Sequence, residues 1–278
     1  MTTLRAVGLI PARYASSRFP GKVLAPIAGR PMIQHVVERA RQATHLDLVL
    51  VATDDPRVRD AVAAFGGRAV MTSPGHASGT DRIAEVARGI DCEIVVNVQG
   101  DEPTLDPASI DEAVAPLLDD PTVEMATLCT AIRDEAAARD PNIVKVVCDR
   151  RGFALYFSRA PIPYHRDRDP GVPRRESRVP GRAGDAGPGT RDEGPVPWRK
   201  HIGLYAYRRD VLLRLAALAP TALEKAERLE QLRALEHGIR IVVVETEHDA
   251  IGVDVPADIA RVAALLGGPA SAMHGAAS

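Results

Sequence analysis

The sequence predicts an α/β fold in which a mostly parallel sheet is sandwiched by helices. Two observations carry this. Short, continuously apolar runs alternate with stretches whose apolar residues recur at helical spacing. The runs are also punctuated by Gly, Pro, Asp or Asn. Strands that are apolar throughout must be covered on both faces, which a parallel sheet with helices on each side achieves. Such sheets gather their ligands at the carboxyl ends of the strands. The residues that follow each apolar run are therefore where chemistry is expected.

In order, residues 6–11 (AVGLIP) read as a buried strand and residues 31–43 as a helix with Pro31 in its first turn. Residues 48–52 (LVLVA) are a strand, and 56–65 a helix with Asp55 as N-cap. A short strand at 67–71 precedes a helix at 79–88, which Ser78 can cap. Residues 94–98 (IVVNV) are a strand, and 107–118 a helix opened by Asp106. From about 124 the rhythm changes. Strands at 125–132, 143–148, 153–157 and 201–208 follow with fewer helices between them. Thr221 to Glu224 is a capping-box pattern ahead of an apolar stripe at Leu229, Leu232 and Leu235. A strand at 241–244 and a helix at 256–266 close the pattern, and the small-residue tail from 267 is expected to fray.

Composition excludes several classes. The chain has 278 residues and a formal net charge of −2, which argues against a partner held by bulk attraction, whether nucleic acid or membrane surface. No apolar run approaches the ~18 residues of a membrane span, and no signal pattern opens the chain. Cys92, Cys129 and Cys148 form no CxxC pair, so a disulfide scaffold or cysteine-rich metal site is excluded and a reducing cytoplasm is expected. Only four lysines (Lys22, Lys145, Lys200, Lys225) stand among 35 basic residues, so each lysine is worth inspecting. Seven of the ten aromatics lie between 153 and 207, pointing to a distinct packing unit or binding surface there. Residues 166–199 hold six prolines, six glycines and eight arginines but no Leu, Ile, Met, Phe or Tyr. Such a segment buries too little apolar area to offset its ordering, so a mobile insertion is expected.

The loop after the first strand, IPARYASSRFPGK (10–22), contains neither GxGxxG nor GxxxxGK[ST], which removes the dinucleotide and P-loop readings. It carries three cations instead, Arg13, Arg18 and Lys22, a grouping that suits a polyphosphate. Lys22 stands out because the chain otherwise chooses arginine. NVQGDEP (97–103) ends an apolar strand in an amide, a glycine and two acids, and GVDVPAD (252–258) sets Asp254 between a strand and a helix. Asp101 and Asp254 are the candidate pair for one Mg²⁺ site, with water and phosphates completing the octahedron. Taken alone, either motif is equally an ordinary turn.

These motifs occur in order with HASGTDR (76–82), ALYFSRAPIP (154–163), HIGLYAYR (201–208) and LEQLR (229–233). The combination resembles the 3-deoxy-manno-octulosonate cytidylyltransferase (CMP-Kdo synthetase) family over essentially residues 5–265. The resemblance implies one nucleotidyltransferase domain at 1–267. Its CTP-binding core would be about 1–123 and 240–267, and a smaller mixed acceptor and dimer subdomain about 124–239. The reaction would be CTP plus Kdo giving CMP-Kdo and pyrophosphate, carried out by a homodimer. By motif match Arg13, Arg18 and Lys22 would hold the phosphates, with Ser78 and Gly79 near the cytosine. Arg13, Lys22 and Asp101 would be catalytic, and Asp101 and Asp254 would hold Mg²⁺. Arg82, Gln99, Arg159, His201, Tyr205, Glu230 and Gln231 would serve the acceptor, Arg159 by pairing with its carboxylate. Two other readings stay open: the same chemistry on another small acid, such as 8-amino-Kdo, another ulosonic acid or a phosphonate, and an inactive nucleotide-sugar-binding protein.

Overall fold

The computed structural model describes residues 3–15, 19–166 and 196–267. The strands are β1 (Leu4–Ala12), β2 (Pro26–Ile27), β3 (Arg30–Pro31), β4 (Leu48–Thr53), β5 (Ala69–Met71), β6 (Cys92–Asn97), β7 (Met125–Ile132), β8 (Lys145–Cys148), β9 (Ala154–Ser158), β10 (Trp198–Arg208) and β11 (Ile241–Glu245). The helices are α1 (Met32–Ala40), α2 (Pro56–Ala64), α3 (Gly79–Arg88), α4 (Pro107–Asp119), α5 (Glu135–Arg139), α6 (Arg209–Ala216), α7 (Ala222–Glu227), α8 (Gln231–Glu236) and α9 (Pro256–Gly267). Most of the insertion read at 166–199, and the tail at 268–278, lie outside the described residues.

The main sheet runs β11-β7-β10-β6-β1-β4-β5. β1 sits inside it because five consecutive residues, Ala6 to Ile10, are buried. It pairs in parallel with β4 (Val7 opposite Leu48) and with β6 (Val7 opposite Val95). β11 and β7 are also parallel. β10 is the exception, lying antiparallel to both β6 and β7. The sheet therefore continues past residue 124 without a break, and only β8 and β9 stand off its main line.

Helices cover both faces. On one, Ile33, Val36, Val62, Ile110 and Val114 from α1, α2 and α4 pack on Ala6, Ile10 and Val96. On the other, Ile83, Leu212, Leu215 and Leu232 from α3, α6 and α8 pack on Val7, Leu9 and Val95. The odd and even residues of β1 serve opposite cores, as a period of two requires. Local signals place the helix starts. Asp55 and Asp106 accept from Arg57 and Ala108 backbone amides, and Ser78 and Asp81 complete a reciprocal capping box. The helix expected after Thr221 is instead two, α7 and α8, because Arg228 adopts φ 55° and turns the chain.

Lys145, one of the four lysines, is fully buried. Its ammonium donates to the carbonyls of Asp140 (2.9 Å), Ile143 (2.6 Å) and Arg159 (2.6 Å). All three donors are satisfied, so a buried cation is tolerated and the 140–143 turn is tied to the end of β9. Burial lowers the pKa of this lysine. Among the described residues no helix is long and apolar enough to cross a membrane.

Candidate active site

The site is built at the carboxyl ends of β1 and β6. After β1 the chain turns back at Gly21, whose φ of 73° is left-handed. A side chain there would also meet the Tyr14 ring at 3.2 Å. Tyr14 is itself covered by the Arg57 guanidinium, 3.4 Å above the ring centre. This turn delivers Lys22, the first residue of a 3₁₀ turn, into the cleft. Its Nζ donates to Asp101 Oδ2 at 2.6 Å and to the Val253 carbonyl at 2.8 Å, and stands 3.9 Å from Asp254 Oδ1. The two carboxylates singled out by sequence thus converge on one cation.

A cleft of about 470 Å³ opens beside them, lined by Pro11, Arg13, Lys22, Gly79, Gln99 and Asp101. Arg13 Nη2 donates to the Ala77 carbonyl at 3.0 Å, joining the β1 loop to the start of α3. Gly100 completes the wall, where a Cβ would stand 2.9 Å from the Pro11 carbonyl, so no larger residue fits without displacing β1. Gly79 lines the cleft at the amino end of α3, where free backbone amides favour an anion. The side chain of Ser78 is engaged as the α3 cap, accepting from Asp81 N at 3.1 Å. Arg18 lies outside the described residues.

A second cavity, about 140 Å³, adjoins the first and shares Gly79 and Gln99 with it. Asn97, Tyr205, Glu230 and Gln231 are among the residues lining it. Four of the sequence-predicted acceptor residues, Gln99, Tyr205, Glu230 and Gln231, therefore meet around one space. Gln99 is fixed by donating from Nε2 to the Gly203 carbonyl at 2.9 Å. Glu230, at the position before α8 and making no cap bond, and Gln231, the first residue of α8, both line it.

Three predicted acceptor residues stand elsewhere. Arg82 is fully buried, bonded to Thr72 Oγ1 and 3.2 Å from Asp54. It braces the ends of β4 and β5 and lines neither cavity. The Arg159 guanidinium donates to the backbone carbonyls of Glu227 (2.8 Å) and Pro141 (2.9 Å), and its own amide is held by the Glu227 carboxylate. In this arrangement the Nε donor and one Nη1 donor are taken by protein. His201 is buried behind Tyr205, bonded to Thr127 Oγ1 at 3.0 Å with its ring edge-on to Phe157. Burial pushes its pKa down to about 3, so the imidazole is neutral and suited to structure rather than proton transfer. Sequence reading missed Thr80, Asn97 and Tyr207, which also line the second cavity. Asn97 lay within the NVQGDEP motif but read there as the end of a strand.

Charge around the cleft is uneven. Burial, and then the neighbouring Asp101 charge, raise Glu102 to about 7. One of its oxygens is buried without a hydrogen-bond partner. Asp101 and Asp254 are a hard-oxygen pair already facing a cation, the donor set that Mg²⁺ takes when phosphates and water supply its other ligands. Among the described residues no group of three or more His, Cys, Asp or Glu forms an all-protein cage.

Comparison with known proteins gives the family. Residues 7–241 match the cytidylyltransferase family. The chain belongs to that family. The 3-deoxy-manno-octulosonate cytidylyltransferase of Geobacter sulfurreducens is 54% identical over 259 residues, covering 93% of this chain and 98% of that protein. The protein of the same name from Solibacter usitatus is 51% identical, covering 94% of each. Among solved structures, a CMP:2-keto-3-deoxy-manno-octonic acid synthetase complexed with CTP superposes with a TM-score of 0.81 at 45% identity, over 95% of this chain and 98% of that one. A 4-diphosphocytidyl-2C-methyl-D-erythritol synthase from Anaerococcus prevotii, at 12% identity and a TM-score of 0.57, shares the fold alone.

His201 gives a pH test. Its folded pKa lies below the unfolded value near 6.5, so the unfolded chain binds the extra proton and stability falls as pH drops below about 6.5. Glu102 has the opposite sign, its raised pKa favouring the folded state on acidification between its ordinary value and about 7. Subtracting a His201→Gln variant cancels Glu102. Between pH 6.5 and 5 the wild type should lose about 2 kcal/mol more than the variant in denaturant titrations. Parallel pH curves would contradict a buried neutral His201.

Proposed function

We propose that this chain transfers CMP from CTP to the 2-hydroxyl of Kdo, releasing pyrophosphate. The observation that carries it is the junction of two cavities, a cation-lined cleft and a smaller polar pocket, across Gly79 and Gln99. The 45% identical structure with CTP bound and the relatives named for the same reaction support the choice of substrates.

The chain's own residues account for the steps. Lys22 and Arg13 reach the cleft as cations and neutralise the triphosphate, above all the pyrophosphate that leaves. The second cavity holds the acceptor with its 2-hydroxyl toward the shared wall. That oxygen attacks the α-phosphorus in line, the bond to the β-phosphate oxygen breaks, and the hydroxyl proton passes to solvent. Positioning and charge do the catalysis, with no covalent intermediate on the chain. Asp101 and Asp254 would hold Mg²⁺, which when bound lowers the pKa of the attacking hydroxyl and offsets charge at the α-phosphate. The working form we propose is a cytoplasmic homodimer. Leu155, Tyr164 and Val196, exposed by 63%, 63% and 55%, are apolar side chains that a second copy would cover.

Pyrophosphate release is the direct assay, run with CTP, Mg²⁺ and a panel of Kdo, 8-amino-Kdo, N-acetylneuraminate and phosphonoformate. Turnover with Kdo is expected; a flat response to Kdo with turnover of another acid contradicts the acceptor assignment. Asp101→Asn and Asp254→Asn should each lower kcat at least ~100-fold. Near-normal turnover in either would remove the metal assignment. Sedimentation at micromolar concentration should give twice the 29.7 kDa chain mass, and a monomer would overturn the dimer.

A further inference from the structure

The second cavity has a floor that the proposed chemistry does not yet use. Thr80, the second residue of α3, is buried, and its hydroxyl donates to Glu230 Oε2 at 2.5 Å. A carboxylate only accepts, so the single hydroxyl proton of Thr80 is committed to Glu230. The other carboxylate oxygen, Oε1, is buried without a hydrogen-bond partner, and the nearest cation, Arg233 Nη2, is 3.9 Å away. Arg233 is instead held at 2.5 and 2.8 Å by Glu224.

The floor extends to Tyr207 and Asn97. Both line the cavity, and Tyr207 is buried. Two buried acceptor oxygens there are without donors, Asn97 Oδ1 and Glu230 Oε1. Buried acceptors left unmatched are costly, so a ligand that brings donors is favoured there.

We propose that Thr80 is a positioning residue for acceptor specificity: it fixes Glu230 so that Oε1, together with Asn97 Oδ1, receives two hydroxyl groups of the acceptor. The cavity then selects a polyhydroxylated acid and disfavours acids that carry no hydroxyl donors. Thr80 also follows Gly79 directly in α3, so the carboxylate that reads the acceptor is anchored to the helix whose first turn lines the nucleotide cleft. This inference rests on the cytidylyl-transfer reading.

The test is steady-state pyrophosphate release by the full-length wild type, Thr80→Val and Thr80→Ser, varying CTP and Kdo separately. Thr80→Val keeps the shape and loses the hydroxyl, and should raise the KM for Kdo about tenfold or more, with the KM for CTP changed less than about twofold. Thr80→Ser restores the donor and should return the KM for Kdo to within about threefold of wild type. An unchanged KM for Kdo in Thr80→Val overturns the inference, as does an equal rise in both KM values that Thr80→Ser fails to rescue. If Thr80→Val does not fold by circular dichroism, Asn97→Asp takes its place. It puts a second carboxylate on the floor beside Glu230, and must raise the KM for Kdo selectively. A wild type that neither binds nor turns over Kdo defeats the function reading first. Wild-type turnover with an unselective Thr80→Val defeats this inference alone.

Discussion

The ammonium of Lys22 is the point on which the site depends. It joins three segments that are remote in sequence: the loop after β1, the end of β6 through Asp101, and the strand-to-helix turn before α9 through Val253 and Asp254. The lysine side chain is only 11% exposed and Asp101 36%. Removing one partner of such a pair leaves a poorly solvated charge, which costs several kcal/mol where burial is complete and less at this partial exposure. Arginine at this position would bring a larger, planar group where three oxygens surround a single point charge. That geometry explains why an arginine-rich chain retains a lysine here.

The sheet sets the distance between the two halves of the site. β10 runs against β6, so the first residue of its paired stretch, Tyr205, lies beside Asn97 at the carboxyl end of β6, with Gly203 just before it. The reversal places Gly203 and Tyr205 where they meet Gln99, and the nucleotide cleft and acceptor cavity share a wall. A fully parallel sheet would have sent those residues to the far end of the strand. The register shift between Ile202 and Tyr205 lies in the same short stretch.

Much of this was legible in the sequence. Continuous apolar runs marked β1, β4 and β6, and Asp55, Ser78 and Asp106 marked helix starts, because those signals are local. The meeting of Asp101 and Asp254 was expected from their common position after strands; their pairing with Lys22 was not, because the sequence reads Lys22 as a phosphate ligand. The antiparallel insertion of β10 left no local trace, since strand direction is decided by chain path and not by composition. The αL turn at Arg228 was hidden as well, because a non-glycine residue carries no sign of positive φ. Arg82, Arg159 and His201 illustrate a different limit. A motif identifies the residue type, but whether an arginine's donors are taken by a carboxylate, a carbonyl or a ligand depends on neighbours such as Asp54 and Glu227, far away in sequence.

The central claim is that Lys22 and Asp101 act as one unit in the cation-lined cleft. A double-mutant cycle of Lys22→Met and Asp101→Asn on kcat/KM for CTP tests it most directly. Strong coupling is predicted, with the double variant no more than about threefold slower than the worse single variant. Losses that multiply, as for independent sites, would contradict the account.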